Sequence, residues 1–134
     1  MKHCILLAIV LVCLFGCSGI AKNTAESSPL DGHIVFAPLT SGKTYMINEN
    51  KEIVQTWDSN YFPGLSVYWN PDNSLYRTIL IPGGGDFGGQ GGGVQKIAAD
   101  GTILWEYTYT SDTHWAHHDI VPLPNGNILF LLHC

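Results

Sequence analysis

The sequence repeats itself, and this repeat limits the folds that the chain can adopt. Ile47–Trp57 aligns with Ile97–Tyr107 at an offset of 50 (the first offset), and Val67–Leu75 aligns with Ile120–Ile128 at an offset of 53 (the second offset). Short runs rich in Val, Ile, Tyr and Trp alternate with turn residues in these segments, which is typical of β-strands. A four-stranded antiparallel unit that recurs about every 40–50 residues is characteristic of β-propeller blades.

The strands are predicted from hydrophobic runs that lie between turn signals. They are His33–Phe36, Thr44–Ile47, Ile53–Trp57, Ser66–Trp69, Leu75–Ile81, Val94–Ala98, Thr102–Thr110, His118–Leu123 and Ile128–Leu132. Asp100-Gly101 and Pro124–Asn127 indicate two hairpins, because their residues tolerate positive φ or favour turns. The sequence therefore predicts an all-β chain. Two similar hairpins in a β-sandwich are the alternative to propeller blades.

The repeat is too short to close a ring. Propellers need at least about four blades, whereas the sequence holds one complete blade over about 66–110, most of the preceding blade and the first two strands of a third. Sheets at the ends of such an array expose apolar faces and unpaired edges. We therefore expect residues 31–134 to be a partial β-propeller, about two to two and a half blades from a longer protein.

The N-terminus is predicted to be an export signal. Cys4–Phe15 is an unbroken apolar run of 12 residues, which is shorter than the roughly 20 residues that span a bilayer. Leu14–Cys17 resembles the bacterial lipoprotein box, in which the cysteine is lipidated and becomes the first residue. We predict a signal peptide over residues 1–16, lipidation at Cys17 and a polar tether over residues 17–30. An ordinary signal peptide that is cleaved a few residues later is the alternative.

These features place the protein in the cell envelope, on the periplasmic side of the membrane or at the outer membrane, attached through its lipid. The chain has 6 Lys+Arg against 11 Asp+Glu and a net charge of −5. This balance excludes an electrostatic nucleic-acid binder, because such proteins neutralise phosphates with basic side chains.

A glycine-rich segment over residues 82–93 contains eight glycines. It lacks the Gly-Lys-Ser/Thr ending of a phosphate-binding loop, and no helical pattern follows it. We interpret it as a flexible connection between the second and third strands of the complete blade, which could also form part of a substrate entrance. No cofactor is predicted.

The densest polar cluster is Asp112–Asp119, which holds His114, His117 and His118, three of the six histidines. Clustered imidazoles act near neutral pH as bases, nucleophiles, cations or metal ligands. The predicted strand begins near His118, so alternation would put His117 and Asp119 on one side and His118 on the other. In a propeller, this first strand lines the central channel.

Several kinds of site fit the cluster. A helical metal-dependent hydrolase is disfavoured because Pro122 and Pro124 prevent the helix that it requires. A zinc site could use the histidines and Asp119, although no cysteine accompanies them and the usual ligand spacing is absent, so no metal is predicted. His117 and Asp119 could instead form hydrogen bonds across a blade turn, or a histidine could be catalytic or bind an anion. Trp115 could contact an aromatic substrate.

Several segments together resemble the bacterial arylsulfotransferase family, which transfers sulfuryl groups between phenols. They are His33–Leu39, Thr44–Asn48, Val54–Trp57, Gly92–Ile97, Asp100–Tyr107 and His117–Asn127. The resemblance covers about residues 31–132. Its most specific part is the His-His-Asp segment that runs into Leu-Pro-Asn-Gly-Asn.

This resemblance implies a six-bladed propeller that moves a sulfuryl group from an aryl sulfate donor to a phenolic acceptor, through a histidine transiently sulfated on nitrogen. His117 matches a channel-facing position that would bind or polarise the sulfate. Asp119 would fix its tautomer and His118 would be second in line. Trp115 and His114 would bind substrate.

The nucleophilic histidine and the arginine of the family belong to later blades, and Arg77 lies outside the family's arginine context. The resemblance therefore implies an N-terminal fragment that is inactive by itself. The alternative function is that of a surface lipoprotein whose propeller binds a partner or a glycan without catalysis, because propellers host unrelated functions.

Overall fold

The computed structural model describes residues 32–83 and 88–134, and this part of the chain is all-β. Its strands are β1 (Ile34–Phe36), β2 (Lys43–Ile47), β3 (Ile53–Asp58), β4 (Pro63–Trp69), β5 (Ser74–Leu80), β6 (Gly92–Ala98), β7 (Ile103–Thr108), β8 (Trp115–Pro122) and β9 (Ile128–His133). They form three antiparallel sheets in chain order, β1-β2-β3, β4-β5-β6-β7 and β8-β9. The predicted all-β class is confirmed, and each predicted strand exists with ends shifted by a few residues.

The predicted signal peptide over residues 1–16, the lipidation site at Cys17 and the tether over residues 17–30 lie outside the described residues. Within the two described ranges, no helix is long and apolar enough to cross a bilayer.

The first offset of the sequence recurs in the strand register. Thr44 pairs with Trp57 in the β2–β3 hairpin, and Val94 pairs with Tyr107 in the β6–β7 hairpin. Every other pair of the first hairpin recurs in the second at the same offset, including the register shift that precedes Ile47. The repeat that the sequence indicates is therefore a repeat of backbone pairing.

The second offset recurs in the same way. Pro63 pairs with Ile79 between β4 and β5, and Ala116 pairs with Leu132 between β8 and β9. After these pairs both hairpins shift register. Residues 64–66 of β4 together lie opposite one residue of β5, and residues 117–119 of β8 together lie opposite one residue of β9. Such a β-bulge interrupts the regular alternation of side chains. We call residues 117–119 the β8 bulge.

An apolar cluster is buried between each pair of neighbouring sheets. Trp57, Leu75 and Ile97 are buried between the first and second sheets, whereas residues from β5, β6 and β8 are buried between the second and third. The second sheet is therefore covered on both faces. This explains why all but the last residue of β5 are buried, with no alternation of buried and exposed positions.

Arg77 of β5 joins the first two sheets. It is fully buried, and its guanidinium group donates to Thr44 Oγ1 at 3.0 Å and to the carbonyl oxygen of Tyr61 at 2.9 Å. Burial lowers the pKa of Arg77 to about 10, because the charged form loses its hydration. The contacts give Arg77 a structural role between sheets.

The outer face of the third sheet is open. Leu129 and Leu131 of β9 are 55% and 62% exposed. Their counterparts at the second offset are Tyr76 and Thr78 of β5, which are 5% and 0% exposed. Tyr76 packs with Ile120 of β8 in the cluster between the second and third sheets. The exposed face of the third sheet thus corresponds, by the second offset, to the face of the second sheet that is buried against β8.

Candidate histidine site at the β8 bulge

The third sheet begins earlier than the sequence predicts. Residues 111–114 form a tight turn in which Ser111 N donates to the His114 carbonyl oxygen at 2.8 Å. Trp115 then pairs with Thr110, and Ala116 N donates to the Tyr109 carbonyl oxygen at 3.0 Å. β8 therefore starts at Trp115 rather than at His118, and the three residues proposed to be catalytic lie inside the strand, at its bulge.

His117 and His118 lie side by side. Their ring centroids are 4.2 Å apart, with an angle of 54° between the ring planes, and the Nδ1 atom of each ring is buried. The prediction that they point to opposite sides of the strand is wrong, because the bulge breaks the two-residue alternation. The two imidazoles form a pair that can act on one ligand.

The glycine-rich segment packs against this pair. His118 N donates to the Gly89 carbonyl oxygen at 2.8 Å, and Gln90 pairs with His117 as an isolated β-bridge. On the other side, Ile81 N donates to the Gly91 carbonyl oxygen at 2.8 Å. The segment lies between β5 and β6, as predicted, and the backbone of residues 89–91 forms hydrogen bonds with Ile81 and with β8. Its flexibility stays a prediction.

The surroundings of His117 favour its neutral form. Partial burial, followed by the neighbouring charges of His118 and His133, holds the pKa of His117 below its usual 6.5. Burial acts this way because a charged imidazole loses hydration, and like charges oppose a further proton. A neutral imidazole offers one N–H donor and one nitrogen lone pair.

This depressed pKa makes stability depend on pH. The unfolded chain binds a proton at His117 more readily than the folded chain, so we expect the free energy of unfolding to fall as the pH drops below about 6.5. Urea unfolding at several pH values measures it, and His117→Gln should flatten the decline. A decline confined to the range below about pH 4 would contradict this expectation, because carboxylates titrate there.

Asp119 joins the second and third sheets. Its Oδ1 atom accepts hydrogen bonds from Tyr68 Oη at 2.7 Å and from Ile120 N at 2.9 Å. The hydrogen bond from Tyr68 is the main cause that lowers the pKa of Asp119, and the same bond raises the pKa of Tyr68. Beside it, Ser66 Oγ donates to the His118 carbonyl oxygen at 3.1 Å. The predicted action of Asp119 on the tautomer of His117 stays a prediction.

Tyr68→Phe is expected to lower the free energy of unfolding by about 1–3 kcal/mol, because it leaves a partly buried carboxylate without its hydroxyl partner. The same change should raise the pKa of Asp119. Urea unfolding near pH 7 measures the first effect. Tyr109→Phe, at a more exposed position, is the matched control. Equal stability of the two variants would show that the Tyr68–Asp119 bond contributes little.

His114 and Trp115, the residues proposed to bind substrate, lie in a separate surface cleft of about 350 Å³. Asp112, His133 and Cys134 also line this cleft, whereas the β8 bulge does not. His133 pairs with Trp115 across the hairpin and also acts on the charge of His117. It therefore lies between the cleft and the histidine pair.

Sequence reasoning missed both His133 and the glycine contact. The second offset maps Leu80 onto His133 and Phe62 onto Trp115, but only the strand pairing of the structure puts His133 opposite Trp115. In the two described ranges, no group of three or more His, Cys, Asp or Glu side chains is placed to hold a metal ion. The zinc interpretation gains no support there.

The fold and the site define this protein as an all-β protein of repeated antiparallel sheets with a paired-histidine site. No protein-family model matches the sequence, and no curated protein matches it. A crystal structure of a protein of unknown function from Bacteroides caccae is similar in fold, with a TM-score of 0.53 and 20% identity over 75% of this chain. The match covers 32% of that protein, so the chain spans about a third of its length.

Proposed function

We propose that the His117–His118 pair binds and polarises the sulfuryl group of an aryl sulfate. In this proposal the chain supplies the first blades of a propeller-type aryl-sulfate sulfotransferase. The single observation that carries the proposal is the pair itself, with two imidazole centroids 4.2 Å apart at the bulge of the strand that opens the third sheet.

The propeller is supported by the repeat of register and by the open outer face of the third sheet. A protein of similar fold is about three times as long as the part that this chain matches. A ring closed by further sheets would cover Leu129 and Leu131, as the third sheet covers Tyr76 of the second. In such a ring β4 and β8 are the innermost strands, so the β8 bulge lies at the central channel.

The chemistry of sulfuryl transfer suits such a site. The sulfur–oxygen bond to the aryl group breaks, the phenolate leaves with the bonding electrons, and a histidine nitrogen forms a new bond to sulfur before an acceptor phenol takes over the group. The transferring SO₃ group needs N–H donors at its oxygens. His117 and His118 would supply such donors, and the nucleophilic histidine is proposed to lie in later blades.

The test is turnover of a chromogenic aryl sulfate by a protein that carries this chain within a complete ring, which the proposal requires and which we call the longer protein. Release of the coloured phenol should rise when a second phenol is added, and the sulfated acceptor should accumulate in equal amount by mass spectrometry. Release that does not depend on the added phenol would contradict transferase activity. The 134-residue chain alone is expected to show no turnover, because the proposed nucleophile lies outside it.

The cleft around His114 and Trp115 favours a second candidate function. It combines an indole ring, two histidines and a carboxylate at the surface, apart from the histidine pair, as suits a module that binds a glycan or a partner without catalysis. Further His-x-Asn and Ser-Arg segments in the longer sequence would favour the enzyme, and their absence would favour the binding module. In both cases we propose an exported lipoprotein anchored to the membrane through Cys17.

A further inference from the structure

We propose that Gly89 is a positioning residue that sets the arrangement of His117 and His118, because its backbone occupies the space directly against both rings. The arrangement of the two rings does not depend on what the histidine pair binds. The effect of this arrangement on turnover rests on the function proposed above.

The contact leaves no space for a side chain. A Cβ atom built on Gly89 would lie 2.4 Å from Cε1 of His117 and 2.5 Å from Nδ1 of His118. Gly89 also has φ +81°, a conformation that glycine adopts at little cost and residues with a Cβ atom rarely do. Any other residue at this position must displace one of the two rings or move the backbone.

The backbone of residues 89–91 replaces regular strand pairing at the bulge. The β8–β9 ladder shifts register between Ala116 and Ile120, so the peptide groups of the bulge need other partners. The carbonyl oxygen of Gly89 accepts from His118 N at 2.8 Å. A Cβ atom on Gly91 would lie 2.3 Å from the carbonyl oxygen of His117. The glycines thus permit close backbone approach to the bulge.

The positions of the rings decide how strongly the charged groups act on them. Burial, His118 and His133 oppose a proton on His117, whereas a backbone hydrogen bond with Gly88 and the charge of Asp119, which is held by Tyr68, favour one. Displacement of a ring by a new side chain would change these distances and the hydration of both imidazoles. A readout of imidazole titration therefore reports on the arrangement, and a change in overall stability alone does not.

The experiment compares Gly89→Ala with Gly126→Ala by NMR titration of the imidazole C–H signals, without substrate, in the longer protein. Gly126 has φ +84°, close to that of Gly89, and a Cβ atom on it meets nothing within 4 Å, so Gly126→Ala is the matched control. We expect Gly89→Ala to move the titration of His117 towards its usual pKa of 6.5 and Gly126→Ala to leave it in place. Unchanged titration in a folded Gly89→Ala protein would overturn the proposal.

A double-mutant cycle keeps the test usable if Gly89→Ala folds poorly. Replacement of both His117 and His118 by alanine removes the two rings that the new Cβ atom would meet, so Gly89→Ala should move the melting temperature less in that background than in the wild type. Additive effects would overturn the proposal.

Activity distinguishes this inference from the proposed function. If the protein transfers sulfuryl groups, Gly89→Ala should lower turnover by about 10–100-fold through misplacement of the pair. A shifted titration in a protein without transferase activity would support the positioning role and contradict the proposed function. Transferase activity together with an unchanged titration of His117 in the Gly89→Ala protein would support the proposed function and contradict the positioning role.

Discussion

Replacement of His117 by alanine is expected to lower turnover of an aryl sulfate by about 100-fold or more, because the substitution removes a donor to the charge that develops on the sulfuryl oxygens. The measurement is kcat/KM with a chromogenic aryl sulfate and a fixed concentration of acceptor phenol. His117 lies partly buried beside His118, and in the proposed function alanine at this position would remove its contact with the sulfate.

The matched control is His33→Ala. His33 is exposed just before β1, and we expect its replacement to change turnover by no more than about twofold. Far-ultraviolet circular dichroism and thermal melting of both variants verify that they are folded. Full activity of a folded His117→Ala protein would favour the structural interpretation of the pair, in which its contacts serve only to join sheets.

The second expectation is that the 134-residue chain alone does not behave as a cooperatively melting monomer. Leu129 and Leu131 lie open on the third sheet, and β9 has a free edge within the described part of the chain. Apolar faces and unpaired edges of this kind promote association. Scanning calorimetry, light scattering and a heteronuclear NMR spectrum measure the behaviour. A well-dispersed spectrum and one sharp transition from a monomer would contradict the proposed partial ring.

Leu131→Glu makes this test more specific, because the proposal predicts a favourable effect in the isolated chain and an unfavourable effect in the longer protein. In the isolated chain the charge should reduce association, since it disrupts the open apolar face. In the longer protein it should lower the free energy of unfolding by about 2 kcal/mol or more, because a further sheet would bury the carboxylate. Asn50→Glu, in an exposed turn, is the control. Equal stability of these two variants in the longer protein would show that no sheet covers Leu131.

The all-β class and the strands could be predicted because strands and turns are local signals and the repeat adds a comparison within the chain, whereas the propeller stays a proposal. Asp100-Gly101 is a turn in which Gly101 has φ +94°, as its dipeptide indicates. The first and second offsets, read from letters alone, are also the offsets of the strand registers.

The residues of the candidate site were selected from the sequence, but their geometry was not predicted, and their roles stay predictions. Asp112–Asp119 holds the histidine pair and one edge of the cleft, yet the strand starts at Trp115 and the bulge brings His117 and His118 to the same side. A bulge depends on how two strands pair, so period-two reasoning on one strand cannot find it. The contact of Gly89 with both rings is likewise invisible, because it joins segments that lie far apart in the sequence.

The bulges of β4 and β8 have unrelated side chains, although the residue pairs on either side of the two bulges have the same register at the second offset. Residues 64–66 are Gly-Leu-Ser, and residues 117–119 are His-His-Asp. The register of the flanking pairs is thus compatible with two unrelated sets of bulge side chains. Each bulge is fitted to its own surroundings, since a Cβ atom on Gly64 would lie 3.0 Å from Thr78 Oγ1, whereas the rings of the β8 bulge lie against the bare backbone of Gly89. New chemistry at such a bulge therefore requires a matching change in the segment that packs against it.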